Sequence, residues 1–262
     1  TNLLAKKLSY SLINLVDQHG IIWDGHGHSI NGNGHACHLM TIQNCHNLTI
    51  RNTRFIGGNT NLLRKLPRHD IPYSGRKVNI FEIIDGGAVV ITGNSTVHFE
   101  NCDFLHNTSI MCGGAISNQS TGVVTFNRCV FEKNTAGHTG SAIDNLVEGS
   151  RLFIDHCIFR NNRSNTWNKH NGPHGQVSIF PKSHATIKNS TFKEGSTPFD
   201  FFSNATVQIH NNHYHGYRDW HETISPKRSS QIFEKILVGM KLHWILPKTI
   251  GHVYYHVPRP VT

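Results

Sequence analysis

The sequence predicts an all-β fold: a single-domain, right-handed parallel β-helix solenoid closed by a C-terminal cap. Three observations predict it. A column of residues recurs along the chain, a second column of Gly-rich quartets shares its period, and the composition favours strand and turn formers over helix formers.

Cys102 anchors the first column, with Thr53, Cys129, Cys157, Ser190 and Asn212 at matching positions. Three residues before each anchor stands a large apolar side chain: Ile50, Phe99, Phe126, Ile154, Ile187 and Ile209. Two residues after it stands an aromatic: Phe55, Phe104, Phe131, Phe159, Phe192 and Tyr214. Five after come Gly58, Asn107, Asn134, Asn162 and Gly195, until Tyr217 breaks the pattern. The anchors lie 49, 27, 28, 33 and 22 residues apart. The first interval reads as two repeats whose middle copy is replaced by the loop NTNLLRKLPRHDIPYSGRK. The second column is GGAV from Gly86, GGAI from Gly113 and GSAI from Gly140, with a weaker relative, GQVSI, from Gly175.

Each repeat holds short alternating pieces such as VTF, LFI and ATIK, joined by Asn/Gly turns. Alternation sends one side chain in and the next out. One coil cannot bury its inner face alone, whereas stacked coils pair their strands in parallel and set equivalent residues above one another. The Phe column then becomes an internal aromatic stack, and the Cys/Thr/Ser/Asn column a stack of small residues. Asn at a repeated turn position tolerates a left-handed backbone and hydrogen-bonds its neighbours above and below. Gly-Gly-Ala supplies a tight corner. Right-handedness is the expectation for parallel crossovers. The solenoid is expected over residues 1–221, with an irregular start over 1–20, and a capping or assembly segment over 222–262, where the columns stop and the chain turns apolar and aromatic.

Hydrophobic residues make up 37% of the chain and charged residues 16%, which excludes a disordered polyelectrolyte. No stretch approaches the ~20 apolar residues of a membrane span. The formal charge is +9, but Lys and Arg are scattered, so a basic soluble surface is expected rather than a nucleic-acid site. The six Cys form no C-x-x-C pair. Cys102, Cys129 and Cys157 are expected as buried free thiols, because side chains of one ladder point the same way. Cys37 with Cys45, or Cys112 with a neighbour, are freer to bridge.

The run from Asp24 to Gly34, followed by Ile42 to Asn52, resembles the opening coils of the pectin-lyase-like superfamily, and that resemblance extends to Tyr214. The pairing of GGA[IV] with F-x-x-N (Phe104 to Asn107, Phe131 to Asn134, Phe159 to Asn162) resembles the polymorphic outer-membrane-protein repeat over Gly86 to Asn162. The first resemblance implies the β-helix; the second implies an extracellular or surface setting like that of adhesins. The superfamily also holds lyases, epimerases and polygalacturonases, so fold does not choose a function. The polygalacturonase motif set is missing. Asp24, Asp85, Asp103, Glu132, Asp144, Glu148 and Asp155 fall in different columns or loops, so no catalytic constellation is expected.

Candidate sites lie where the repeat is interrupted. One loop offers Trp167, Lys169, His170 and His174, the other Arg68, Tyr73 and Arg76, in an aromatic-plus-basic mix that suits anionic sugars. Seven sequons, at Asn47, Asn94, Asn107, Asn118, Asn162, Asn189 and Asn204, are candidate glycosylation sites. His26 with His28 and His213 with His215 are weak candidate metal ligands; no Cys, Asp or Glu completes either pair at familiar spacing, so neither a metal nor a cofactor is expected. The expected function is a non-enzymatic structural or adhesive component of a cell or particle surface. Its expected partners are other subunits of an assembly, glycans or a second copy of itself. A polysaccharide lyase or epimerase acting on acidic glycans, and a virion decoration or cement protein, are the alternatives.

Overall fold

A computed structural model describes residues 2–67, 70–71, 81–165, 174–202 and 204–217. The expected 222–262 cap lies outside them. All strand pairing is parallel, and three sheets run the length of the molecule. The first holds Ser9–Val16, Ala36–Gln43, Val89–Gly93, Ile116–Ser120, Ile143–Asn145, Gly175–Ile179 and Thr197–Phe201, in that order. The second holds Ile22–Asp24, Leu48–Arg51, Val97–Glu100, Val123–Asn127, Arg151–Asp155, His184–Lys188 and Thr206–His210. The third runs from Leu3–Leu4 through Ser29–Asn31, Arg54–Ile56, Asp103–Leu105, Val130–Glu132 and Ile158–Ser164 to Thr191–Gly195 and His213–His215. Successive strands of each sheet come from successive coils, so the chain winds through the three sheets in turn as a parallel β-helix.

The anchor spacing translates into register with one correction. Phe55 pairs with Phe104, Phe104 with Phe131, Phe131 with Phe159, and Phe159 with Phe192. The 49-residue interval is therefore one coil carrying an excursion, not two repeats. The excursion leaves the coil after Gly58, forms a 3-10 helix over Thr60–Lys65 and a single helical turn over Phe81–Ile84, and rejoins the frame at Val89–Gly93, which pairs directly with Ala36–Gln43.

The core is a set of columns. The ring centroids of Phe55, Phe104, Phe131, Phe159 and Phe192 lie 5.0, 4.8, 4.8 and 4.7 Å apart, with interplanar angles of 4–7°. Phe99 and Phe126 form a neighbouring stack at 4.9 Å and meet the first stack edge-on. All seven rings are fully buried. Offset stacks and edge contacts of this kind add to the area term that dominates such a core.

Beside the aromatics runs a buried amide ladder. Asn107, Asn134 and Asn162 are fully buried. Each Oδ1 accepts the backbone N–H of the coil before it: Gly58 (2.9 Å), Asn107 (3.0 Å) and Asn134 (2.9 Å). Each Nδ2 donates back to the carbonyl of Phe55, Phe104 or Phe131 at 2.9–3.1 Å, and Asn162 also donates to Gln176 Oε1 at 2.8 Å. The left-handed residue is not the ladder Asn, as expected, but its predecessor: His106 (φ 55°), Lys133 (φ 54°) and Asn161 (φ 56°). A second left-handed position precedes each anchor, from Asn52 and Asn101 through Arg128, His156, Asn189 and Asn211, with φ of 51–53°. The ladder residue is Asn for its amide; the turn falls on whichever residue precedes it.

The corner quartets behave as expected. Gly86, Gly113 and Gly140 have φ of 61–66°, and a Cβ on Gly114 would stand 2.1 Å from the Ser141 carbonyl. All six thiols are free and buried. Cys102, Cys129 and Cys157 stack as expected, and their column continues through Ser190, whose Oγ accepts the Cys157 N–H at 3.0 Å, to Asn212, whose Oδ1 accepts the Ser190 N–H at 2.9 Å. The bridge expected as possible for Cys37 is not formed: Cys45 sits in the central core, while Cys37 lies in a separate apolar cluster beneath the excursion, where burial pushes its thiol up to about 12.

Asn134→Ala removes an acceptor and a donor from a buried ladder, so we expect a loss of about 1–3 kcal/mol in urea unfolding. Asn94→Ala, at an exposed position outside the left-handed region, is expected to change stability by no more than about 0.5 kcal/mol.

Candidate functional site

The outer faces of the three sheets differ. On the second and third sheets, outward side chains are largely solvated and many are ion-paired along the column: Arg51 with Asp24 at 2.8 Å, Arg160 with Glu132 at 2.7 Å, Lys188 with Asp155 at 3.4 Å, and Arg128 with Glu100. Each pair cancels one positive and one negative charge, and no concentrated cationic stripe stands among the described residues of these faces. On the first sheet, Ile116–Ser120, Ile143–Asn145 and Gly175–Ile179 are buried at every position. Register places Asn14, Thr41, Val90, Ser117, Asp144, Ser178 and Asp200 in one outward column of that sheet.

The excursion shapes this face. Leu62, Leu63, Leu66, Ile71, Phe81, Ile83 and Ile84 pack with Cys37, Ile110, Met111 and Cys112 into the outer apolar cluster. Polar side chains tie the cluster down: Thr60 Oγ1 donates to the Ile84 carbonyl at 2.8 Å and accepts the Ile110 N–H at 2.7 Å. His38 is fully buried against it, with Nδ1 2.8 Å from the Gly86 carbonyl oxygen and Nε2 3.1 Å from that of Ile83. Both oxygens only accept, which favours the imidazolium, yet burial is the larger effect and brings the ring down to about 4.

Over the first three strands the excursion stands off the sheet and leaves a groove of 520 Å³. Asn14, Val16, Thr41, Gln43, Val90 and Thr92 form its floor, and Lys7, Tyr10, Asp70 and Glu82 line its walls. Thr41 Oγ1 donates to Asn14 Oδ1 at 2.6 Å, and the Tyr10 hydroxyl donates to the Glu82 carbonyl at 3.1 Å, joining the first coil to the excursion. The floor crosses the strands, its polar groups repeating at the spacing of the coils.

Beyond the groove the same outward column becomes a buried acidic cluster, which corrects the expectation of scattered carboxylates. Asp85 and Asp144 are fully buried. Asp85 Oδ1 accepts the Cys112 N–H at 2.8 Å, and Asp144 Oδ2 accepts the Ser117 hydroxyl at 3.2 Å. Asp144 fits because Gly113 has no side chain: a Cβ there would stand 1.9 Å from Asp144 Oδ1. Burial raises both acids well above the carboxylate range, and for Asp85 the neighbouring charge of Asp144 adds to the rise. Asp200 Oδ2 accepts from Thr139 Oγ1 and the Gly175 N–H and lies 3.7 Å from His174 Nδ1. The His174 and His138 rings lie 4.5 Å apart, tilted by 37°, and burial, then the charge of His174, brings His138 down to about 4.

Of the other sequence candidates, Arg68, Tyr73, Arg76, Trp167, Lys169 and His170 lie outside the described residues. His174 is buried in the acidic cluster. His26 and His28 are exposed on the opening turn, and His213 and His215 are exposed on either side of the inward Tyr214. Among the described residues no group of three or more His, Cys, Asp or Glu is arranged to hold a metal ion. The sequons divide. Asn107, Asn118 and Asn162 are fully buried with engaged amides, leaving no room for a glycan in the folded chain. Asn189 is half-buried and donates to Asp155 at 2.9 Å, while Asn47, Asn94 and Asn204 are exposed.

The groove floor and the acid pair were missed in the sequence, although a signal existed. Asp85, Cys112 and Thr139 each precede a corner quartet, and Val90, Ser117 and Asp144 each follow one. Comparison of the chain with models of protein families, with curated proteins and with solved structures found no match.

The raised acids carry a sign. An acid held protonated in the fold contributes stability below its unfolded value near 3.8, which is lost as pH rises toward the folded value. Asp144→Asn removes that loss, so its unfolding midpoint is expected to gain on the wild type as pH rises above about 4. Taking the difference between the two chains cancels the opposing contribution of His38 and His138, which disfavour the fold as pH falls from 6.5 toward 4.

Proposed function

We propose that this protein is a non-enzymatic β-helix of a cell or particle surface that engages a glycan through the groove over its first sheet. The observation that carries the reading is the groove, an elongated depression whose floor offers amide and hydroxyl groups at coil spacing beside apolar Val16 and Val90. Such alternation suits a sugar chain, whose hydroxyls hydrogen-bond while its ring faces rest on apolar surface. Among the described wall residues are Asp70, Glu82 and Lys7. The amides and hydroxyls of the floor, uncharged at every pH, suit the hydroxyls of a neutral glycan better than the carboxylates of an acidic one. The repeats that resemble the polymorphic outer-membrane-protein type support the surface setting, and the ion-paired outer faces of the other two sheets suit contacts with further subunits of an assembly.

A second reading has one specific observation behind it. Asp144 belongs to the same outward column as the groove floor, with Asp85 as its neighbour, and a carboxyl that burial holds toward its neutral form is what a general acid requires. This supports a polysaccharide-active enzyme of the pectin-lyase-like kind. Against it stand the full burial of both acids and the nearly complete burial of Asp200.

A glycan array followed by calorimetry tests the first reading. We expect binding of neutral polysaccharides, weakened about tenfold or more in the Asn14→Ala/Gln43→Ala double variant with unchanged circular dichroism, a loss of about 1.4 kcal/mol. Binding confined to polyuronates, or untouched by the double variant, would overturn the groove assignment. Release of unsaturated uronates by the wild type but not by Asp144→Asn would replace the first reading with the second.

A further inference from the structure

We propose that three sequons, Asn47, Asn94 and Asn204, carry N-linked glycans of the chain's own, standing along one edge of the solenoid. Each lies at the corner between the first and second sheets: Asn47 between Ala36–Gln43 and Leu48–Arg51, Asn94 between Val89–Gly93 and Val97–Glu100, and Asn204 between Thr197–Phe201 and Thr206–His210. All three are exposed. Among the described residues none of their amides makes a hydrogen bond, and neither do the hydroxyls of Thr49, Thr96 and Thr206 two residues on. The remaining sequons are engaged. The amides of Asn107, Asn118 and Asn162 are buried and bonded to other coils, and Asn189, at the corner between the second and third sheets, donates to Asp155 at 2.9 Å.

The third residue of the sequon divides the exposed from the buried in the same way. The three exposed sequons read NLT, NST and NAT, whereas the three buried ones read NTS, NQS and NRS. The hydroxyl two residues on helps to activate the amide, and Thr, stiff about χ1, presents it in fewer conformations than Ser does. The better acceptor therefore stands where a glycan fits, and the poorer one where a glycan would break the buried amide contacts. In the transfer, Asn Nδ2 displaces a diphosphate from the anomeric carbon of a lipid-linked oligosaccharide. The C–N bond forms as the C–O bond breaks, the amide gives up one proton, and the lipid diphosphate leaves.

The placement has a consequence for assembly. Asn47 and Asn94 belong to neighbouring coils and Asn204 to a coil four further on, so the three span five coil spacings, about 24 Å along the axis. A ridge of hydrated sugar over that length keeps another subunit off this edge and leaves the third sheet, which does not border it, as the side open to contact. The route through a glycosylating compartment rests on the surface setting proposed above; the choice among the sequons does not.

Peptide mass spectrometry tests the proposal on the full chain, secreted by a eukaryotic host behind a cleavable signal peptide. Enzymatic release of N-glycans in heavy-oxygen water converts each occupied Asn into a labelled Asp. In the folded, protease-resistant fraction we expect the label at Asn47, Asn94 and Asn204, and unmodified Asn at 107, 118 and 162. The Thr49→Ala/Thr96→Ala/Thr206→Ala variant should lose all of the label at the three sites and keep the circular dichroism of the wild type. It leaves untouched the left-handed backbone of Asn47 and Asn204 (φ 55° and 64°). An empty site among the three in the folded wild type, or label on Asn107, Asn118 or Asn162 in that fraction, overturns the proposal. Occupied edge sites on a chain that binds no saccharide on the array leave the proposal standing and remove only the groove reading.

Discussion

The in-register hydrogen bonding of one coil to the next is the constraint on which the rest of this molecule depends. Parallel ladders at a fixed spacing allow no sliding, because a one-residue slip would turn the Phe stack outward and the charged columns inward. Once register is held, each side chain meets the same position of the coils above and below. Identical Phe rings stack, identical Asn amides chain donor to acceptor, and opposite charges on neighbouring coils pair. No single contact is strong; each is repeated at every coil with the same geometry.

The same constraint produces the unusual chemistry of the first sheet. Asp85 lies in the corner of one coil, and Asp144 on the strand two coils further on. Neither is near the other in sequence, and neither would be buried in an isolated coil. Stacking brings them under one outer cluster around Cys112, whose thiol is also pushed well up, by burial and then by the charges of Asp85 and Asp144. The excursion that covers this face is tolerated because the chain returns to register at Val89–Gly93. A solenoid can host a large insertion at a corner without disturbing the coils on either side.

Much of the fold was legible in the sequence. Columns that share a period leave few architectures open, and the aromatic stack, the thiol column and the Gly corners stand where the spacing put them. The finer misreadings have physical causes. The left-handed turn falls one residue before each ladder Asn, on His106, Lys133 and Asn161, because the backbone reversal there does not need an Asn side chain. The interval before Cys102 held a helical excursion rather than a lost coil, which composition alone does not distinguish. Two sequons, Asn107 and Asn162, lie in the buried amide ladder and a third, Asn118, is buried in the first sheet, since the motif reads only chemistry local to three residues. The groove was least legible, being assembled from the first strands of three coils and an excursion wall. The carboxylates that register brings together occupy flanking positions of the corner quartets, where a pattern of unlike residues gives no visible repeat.

The stacked amides and rings of the coils from Phe104 to Phe159 have one more implication, for how such a chain can change length. Inserting or deleting an arbitrary number of residues within the ladder breaks every column above the change, whereas duplicating one whole 27-residue unit, such as Phe104 to Val130, extends every column by one rung. Growth is therefore quantised. Lineages of this architecture can lengthen by tandem copying of coding sequence in single-coil steps, each adding about 4.8 Å to the axis while leaving the existing faces unaltered.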